Sequence, residues 1–194
     1  MKNNRFLITA ICLAIFSTIS IGISAQATTS KVDTKSSFID WTGKKVVGSH
    51  EGTIKLSEGE LVFTAGKLTG GTFTIDMTSM ENTDMKGGGA KKLMGHLHSD
   101  DFFGTADHPT SKLTITKVTP TSAGYDITGD LTIKGITKPI SFSATAGQYL
   151  ANADITVDRT AYDIKYGSGS FFDNLGDKAI DNNFTLKVNL VLVN

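Results

Sequence analysis

Alternation with a period of two constrains this chain more than any other feature of its sequence. From Lys31 onward, apolar side chains recur at every second position: Ile54 and Leu56, then Leu61, Phe63 and Ala65, then Phe73, Ile75 and Met77, then Leu113 and Ile115. The same spacing runs through Tyr125, Ile127, Gly129, Leu131 and Ile133, and through Ile140, Phe142, Ala144 and Ala146. It ends in Phe184, Leu186, Val188, Leu190 and Leu192, interleaved with Thr185, Lys187, Asn189, Val191 and Val193. A strand turns successive side chains to opposite faces, so these runs predict half-buried antiparallel strands. Threonine, with 26 copies in 194 residues, adds to the tendency because its branched Cβ suits a pleated surface better than a helix.

Turn signals divide the runs: Ser57-Glu58-Gly59, Gly70-Gly71, Ser122-Ala123-Gly124 and Lys134-Gly135. The short spacings predict hairpins rather than helical crossovers. About eight strands with one apolar face each can form a sandwich or a closed barrel, and periodicity does not choose between them. One stretch departs from the pattern. Between Ala90 and Ser99, Leu93, Met94 and Leu97 share one side at helical spacing, which predicts a short helix over one end of the β-structure. The polar segment Glu81 to Gly89 before it reads as a mobile loop.

The N-terminus is of another kind. Lys2 and Arg5 precede an apolar run from Phe6 to Ile23, and Ser24-Ala25-Gln26-Ala27 supplies an A-x-A pattern. Residues 1–27 therefore read as a secretory signal peptide cut after Ala27, or alternatively after Ala25. An uncleaved anchor is the competing reading, because eighteen residues just span a bilayer. Residues 28–194 read as one domain, with a periplasmic or secreted location. Losing Lys2, Arg5 and Cys12 leaves 17 basic against 19 acidic residues, no cysteine and one arginine, Arg159. An exported domain without disulfides must rely on its core. With no basic excess, the chain lacks the electrostatic footprint of a nucleic-acid binder.

Few residues suggest chemistry. His96, His98, Asp101 and His108 offer ligand types for a metal-dependent enzyme, but residues two apart on a helix diverge, so they read as surface or helix-end groups. No nucleophile elbow, H-E-x-x-H, Walker loop or dinucleotide fingerprint occurs, so neither catalytic residues nor a cofactor are expected. Phe102 and Phe103, just after the helix, suit either the mouth of an apolar cavity or a core plug. Phe171 and Phe172, in a glycine- and serine-rich loop, suit exposure. Arg159, between Asp158 and Asp163, reads as a structural ion pair pinning a loop, with recognition of an anionic head group as the alternative.

Seven segments, in order, resemble a known family: Trp41-Thr42-Gly43-Lys44-Lys45, Gly48-Ser49-His50-Glu51-Gly52, Gly71 to Met77, His98 to Phe103, His108-Pro109, Gly129 to Lys138, and Asp158-Arg159. Together they are similar to the YceI-like family of exported, lipocalin-like bacterial proteins, from about Val32 to Val193. The resemblance implies an eight-stranded antiparallel β-barrel with a short helix near one end. It further implies an elongated apolar cavity for a polyisoprenoid or isoprenoid-quinone-like lipid, a possible homodimer and no catalytic residues. Alternation then nominates Phe63, Phe73, Ile75, Met77 and Ile127 as cavity lining, with Leu131, Phe142 and Leu186, and the mouth aromatics Phe102 and Phe103. His50, Arg159 and Lys165 are the head-group candidates. A barrel filled by its own side chains, serving as a structural, stress-related or interaction protein, is the rival reading.

Overall fold

A computed structural model describes residues 26–193; the signal-peptide reading falls almost wholly outside them. Nine strands are present among the described residues: β1 (Ala27–Val32), β2 (Phe38–Lys45), β3 (Ser49–Thr64), β4 (Lys67–Asn82), β5 (Thr110–Pro120), β6 (Tyr125–Ile133), β7 (Ile136–Ala146), β8 (Leu150–Asp158) and β9 (Ile180–Val193). One helix, α1 (Gly87–His98), joins β4 to β5. Each strand from β2 to β9 pairs antiparallel with the next, and β9 returns to β2, so eight strands close a barrel. Closure leaves no free sheet edge around most of the circumference.

The ninth strand does not enlarge the ring. β1 pairs with the far half of β3, Ala27↔Thr64 to Lys31↔Glu60, and then with the end of β9, Lys31↔Val193 and Val32↔Leu192. β2 occupies the same gap further along, pairing Ile39↔Ile54 to Lys44↔Ser49. The two act as one broken stave between β3 and β9.

Two of the sequence's turn signals are not turns. Ser57-Glu58-Gly59 lies inside β3, at a bulge where Leu56↔Ile75 is followed by Glu58↔Thr74. The extra residue shifts the inward phase from Ile54 and Leu56 to Leu61 and Phe63, which is why both pairs are buried despite opposite parity. Gly70-Gly71 lies inside β4; the hairpin turns instead at Ala65 (φ 51°) and Gly66 (φ 75°), the two-residue geometry that follows strand twist. Lys134 and Gly135 turn the same way. The expected loop before the helix is also shorter than predicted, because β4 runs to Asn82 and the helix already begins at Gly87.

The meander places both long connections, β4–α1–β5 and β8–β9, at one end of the barrel, with the β2–β3 and β6–β7 turns. The opposite end is closed by Val32, Leu61, Phe63, Leu68 and Leu192, all buried. One glycine is indispensable here. A Cβ on Gly52 would sit 1.8 Å from the Glu81 carbonyl oxygen and 2.5 Å from the Trp41 ring, which lies across β3 with its Nε1–H donating to that same carbonyl at 3.2 Å.

Candidate functional site: the barrel cavity

The inward side chains do not fill the barrel. A cavity of about 350 Å³ runs between them, within the range that holds a small ligand. Its wall includes Phe73, Ile75 and Met77 of β4, Ile127 and Leu131 of β6, Phe142 of β7 and Leu186 of β9. Alternation thus puts all seven of these nominated side chains on the wall. Phe102 and Phe103 line it too, at the helix end. Phe63 does not: it is buried in the closed end, beyond the bulge that shifts its strand's phase.

The wall is uneven. On β3, Ile54, Leu56 and Leu61 are buried, whereas Ile136, Ile140, Phe142, Ala144 and Ala146 on β7 point inward yet stay only half-buried. The cause is a split seam. β7 pairs with β6 from Ile136 to Ala144, but with β8 only at Ala144↔Ala153, Thr145↔Asn152 and Ala146↔Ala151. From Ile136 to Ser143 its other edge has no strand partner. Pro139 sits in that stretch, where a residue lacking an N–H is tolerated.

At the helix end, two long connections meet in an aromatic group. The Phe102 ring contacts His96 edge-on at 4.8 Å, Phe103 at 6.3 Å and Tyr166 at 5.8 Å, and His96 meets Tyr166 at 4.3 Å. Phe103 reaches down to Phe184 at 6.0 Å. Sequence reading missed His96 as a wall residue, although its three-residue spacing from Leu93 puts both on one helix face. It missed Trp41 also, although Ile39, Trp41 and Gly43 alternate.

The head-group candidates fare differently. Arg159 is 3% exposed and forms no ion pair among the described residues, contrary to the expected pairing with Asp158 or Asp163. Its Nε–H donates to the Asp181 carbonyl (2.9 Å), Nη1 to Ile164 (2.7 Å) and Nη2 to Ile180 (3.1 Å), and its guanidinium carbon lies 5.6 Å from the Phe102 ring centre. Burial pushes its pKa down, and Asp158 and Asp181 offset this in part. It pins the β8–β9 connection through carbonyls rather than carboxylates, because the turn presents backbone oxygens to it. Lys165 is not on the wall; its Nζ pairs with Asp163 at 2.6 Å and lies 5.3 Å from the Phe171 ring centre, in solvent. Phe171 and Phe172 are both exposed. His50 is on the wall, with Nδ1 3.0 Å from Asp84 Oδ2. Burial pushes the Asp84 carboxyl up, but hydrogen bonds from His50, the Glu51 N–H and Asn82 outweigh it and bring its pKa to about 2.

The possible metal ligands are scattered. His98 Nδ1 bonds Thr105 Oγ1 at 2.9 Å, His96 sits among aromatics, Asp101 is exposed and His108 lies beside the β6–β7 turn. Among the described residues, no three His, Cys, Asp or Glu side chains converge as metal ligands.

This geometry has close parallels. The model of the YceI-like domain matches residues 31–192. The chain belongs to the YceI-like family. Protein YceI of Escherichia coli is 47% identical over 49 residues, 25% of this chain and 26% of that protein. A UPF0312 protein of Shewanella denitrificans is 34% identical over 93 residues, 47% of each chain. The matched segments thus span between about a quarter and a half of these relatives. Among solved structures, BcnA of Burkholderia cenocepacia has a TM-score of 0.67 at 22% identity, covering 82% of this chain and 98% of its own. A polyisoprenoid binding domain from Saccharophagus degradans has a TM-score of 0.54 at 13% identity, over 86% of this chain and 98% of that one. At these identities the likeness is one of fold, and the fold is the YceI-like barrel.

Proposed function

We propose that this YceI-like barrel is a non-enzymatic binding protein that holds one slim, long-chain apolar lipid of the polyisoprenoid kind. The carrying observation is the half-buried inward face of β7 and β9, beside a cavity lined almost wholly by aliphatic and aromatic side chains. Apolar surface left uncovered by folding is stabilised by a ligand chain at about 25 cal/mol for each Å² removed from water. The cavity suits a slim chain in an eight-stranded barrel, where side chains leave little width. The polyisoprenoid-binding domain of the same fold supports that chain class. The rival filled barrel fits the cavity poorly.

The reading includes export: residues 1–27 act as a cleaved leader, and the mature chain works in the periplasm or outside the cell. N-terminal sequencing of protein from its host should begin at Thr28, or at Gln26. It also includes a homodimer. Phe38, Tyr149, Leu150 and Val193, exposed at the end away from the helix, are the surface two copies would share. The central test is mass spectrometry of lipid extracted from natively produced protein. An isoprenoid chain at near-stoichiometric level is expected. Protein that never copurifies with an apolar chain, and takes none up after delipidation, would make the proposal wrong.

A further inference from the structure

Exposed apolar side chains gather at both ends of the barrel, and those at the helix end stand around the cavity mouth. Lys44, Lys45, Asp181 and Asn183 belong to the cavity wall yet are exposed, so at this end the wall reaches the surface. Beside it stand Val46 and Val47 on the β2–β3 turn, and Tyr166, Phe171 and Phe172 on the β8–β9 connection, each 47% to 65% exposed. Hydrogen bonds tie these two loops into one rim. The Val46 N–H donates to the Ala179 carbonyl at 3.1 Å, and the Ile180 N–H to the Gly167 carbonyl at 2.8 Å. The Ser168 hydroxyl donates to Asn182 Oδ1 at 2.6 Å, and the Ser168 carbonyl accepts from the Phe171 and Phe172 N–H groups. Five apolar side chains held outward on an ordered rim mark a surface that meets a partner.

We propose that this rim docks on an anionic phospholipid bilayer, from which the cavity takes its apolar chain. The choice of a bilayer over a protein rests on the lipid-binding reading above. A protein seated on the rim would cap the mouth, whereas a bilayer is the phase that dissolves such a chain. Charge points the same way. Lys44 and Lys45 precede the two valines, and Lys86, Lys91 and Lys92 stand exposed on α1 or just before it, with no acidic residue from Met85 to Ser99. Asp84, the acid that precedes this stretch, is held by His50. The β8–β9 connection is nearer balance: Lys165 pairs with Asp163 at 2.6 Å, and Lys178 follows Asp173 and Asp177. The His96–Tyr166 ring contact at 4.3 Å joins that connection to the helix. Lysines on one side thus meet phosphate groups while aromatic rings on the other enter the interface, the combination that holds peripheral proteins to membranes. The unpartnered stretch of β7 begins at Ile136, at this same end, so the split seam opens toward the bilayer as well.

Protein produced through its own leader is mixed with vesicles of phosphatidylcholine, alone or with an equal part of phosphatidylglycerol, and bound protein is separated by flotation. Wild type should bind the anionic vesicles about tenfold more tightly or better, and less so as salt rises. Phe171→Ser with Phe172→Ser should weaken that binding about tenfold, and Lys91→Gln with Lys92→Gln should erase most of the anionic preference. Lys67→Gln with Lys117→Gln, toward the opposite end, should change neither. All six side chains are exposed, and an unchanged melting temperature confirms that each variant folds. Wild type that floats with neither vesicle would overturn the proposal, as would equal binding to both. So would binding that survives both rim variants or falls equally in the far-end one. Trp41, the single tryptophan, lines the cavity and reports uptake of squalene, an isoprenoid hydrocarbon, without vesicles present. Uptake without docking ends this proposal and leaves lipid binding intact. Docking without uptake would overturn the lipid-binding reading, and delivery of a chain with it.

Discussion

The β3–β4 and β7–β8 seams join the same kind of antiparallel strand in one barrel, yet they are built to opposite ends. β3 and β4 pair from Gly52↔Asn82 to Thr64↔Lys67, through three irregularities, and the inward side chains on β3 are buried. β7 and β8 pair over Ala144 to Ala146 and then part, leaving the inward side chains of β7 half-exposed to a cavity. The bulges explain why a long seam can stay packed. The one between Leu56 and Glu58 resets the inward phase of β3, and the other two put their extra residues on β4, so β3 keeps apolar groups inside despite a change of parity. β7 needs no such correction, since Ile140, Phe142, Ala144 and Ala146 keep one parity throughout. Its inward face stays half-buried because a strand partner is missing from Ile136 to Ser143, where the turn Arg159–Tyr162 lies instead, and the small Ala144, Ala146, Ala151 and Ala153 leave room where the two strands do meet. Both strands contribute to the cavity wall, but β3 does so with buried side chains and β7 with half-buried ones.

The largest expected effect tests that division directly. Phe63→Ala, at a buried position of β3 off the cavity wall, should destabilise delipidated protein by about 3 kcal/mol or more, since the void has no solvent to fill it. Phe142→Ala removes the same group but from a wall already facing empty space, and should cost less than about 2 kcal/mol. In exchange, Phe142→Ala should weaken retention of a prenyl chain, which Phe63→Ala, once folded, should do less. Urea unfolding paired with lipid content after purification measures both. Equal destabilisation would mean that β7 is packed like β3, and the contrast would collapse.

A kinetic effect comes next. The β7–β8 register continued past Ala144 would set Ser141 opposite Thr156, both outward. Residues 28–194 contain no cysteine, so in a protein of that span Ser141→Cys with Thr156→Cys can be bridged by a short thiol-reactive linker. If the split seam is where a chain enters, bridging should slow dissociation of a fluorescent prenyl probe by about tenfold or more, with little change in equilibrium affinity. Bridging Glu60→Cys to Thr72→Cys across β3–β4 is the control and should change nothing. Equal rates in both bridged proteins would place entry elsewhere.

These contrasts mark what the sequence could reveal. Strand phase was legible at Phe73, Ile75, Met77, Phe142 and Leu186, because one buried face imposes period two wherever pairing is regular. Ser57-Glu58-Gly59 was misread as a turn because a bulge and a turn use the same small and polar residues. The split seam was invisible to periodicity, which reports a strand's own faces and nothing about its neighbour; Pro139 was the only local hint. His96 reads in the sequence as a surface or helix-end group, and its burial depends on Phe102 and Tyr166, which two separate connections bring to it. Arg159 shows the same limit. Its acidic neighbours in sequence suggested an ion pair, while its partners in space are carbonyls 5 to 22 residues away.

The smallest expected effect concerns acid, and it acts on the tighter seam. Where the paired segment of β3 and β4 ends, Asp84 accepts from the Glu51 N–H at 3.1 Å and from Asn82, and faces His50 Nδ1 at 3.0 Å. These bonds favour the carboxylate, so its pKa falls to about 2 against 3.8 for an unperturbed group. For a depressed acid, the stabilisation is complete above the unfolded pKa and is lost as pH falls toward the folded value. The window is therefore about pH 4 down to about pH 2. Because Asp84 is part-exposed, solvent screening should hold the change below about 1 kcal/mol. The β7–β8 seam has no comparable carboxylate clamp, so acid should loosen the packed side and leave the open side alone. Amide hydrogen exchange at Glu51 and Thr83 should quicken below pH 4, after correction for intrinsic rates, while exchange at Ala144 and Ala153 should not. Asp84→Asn should remove the pH dependence at the first pair. If both seams loosen together, the acid response is a property of the whole barrel, and the clamp contributes nothing of its own.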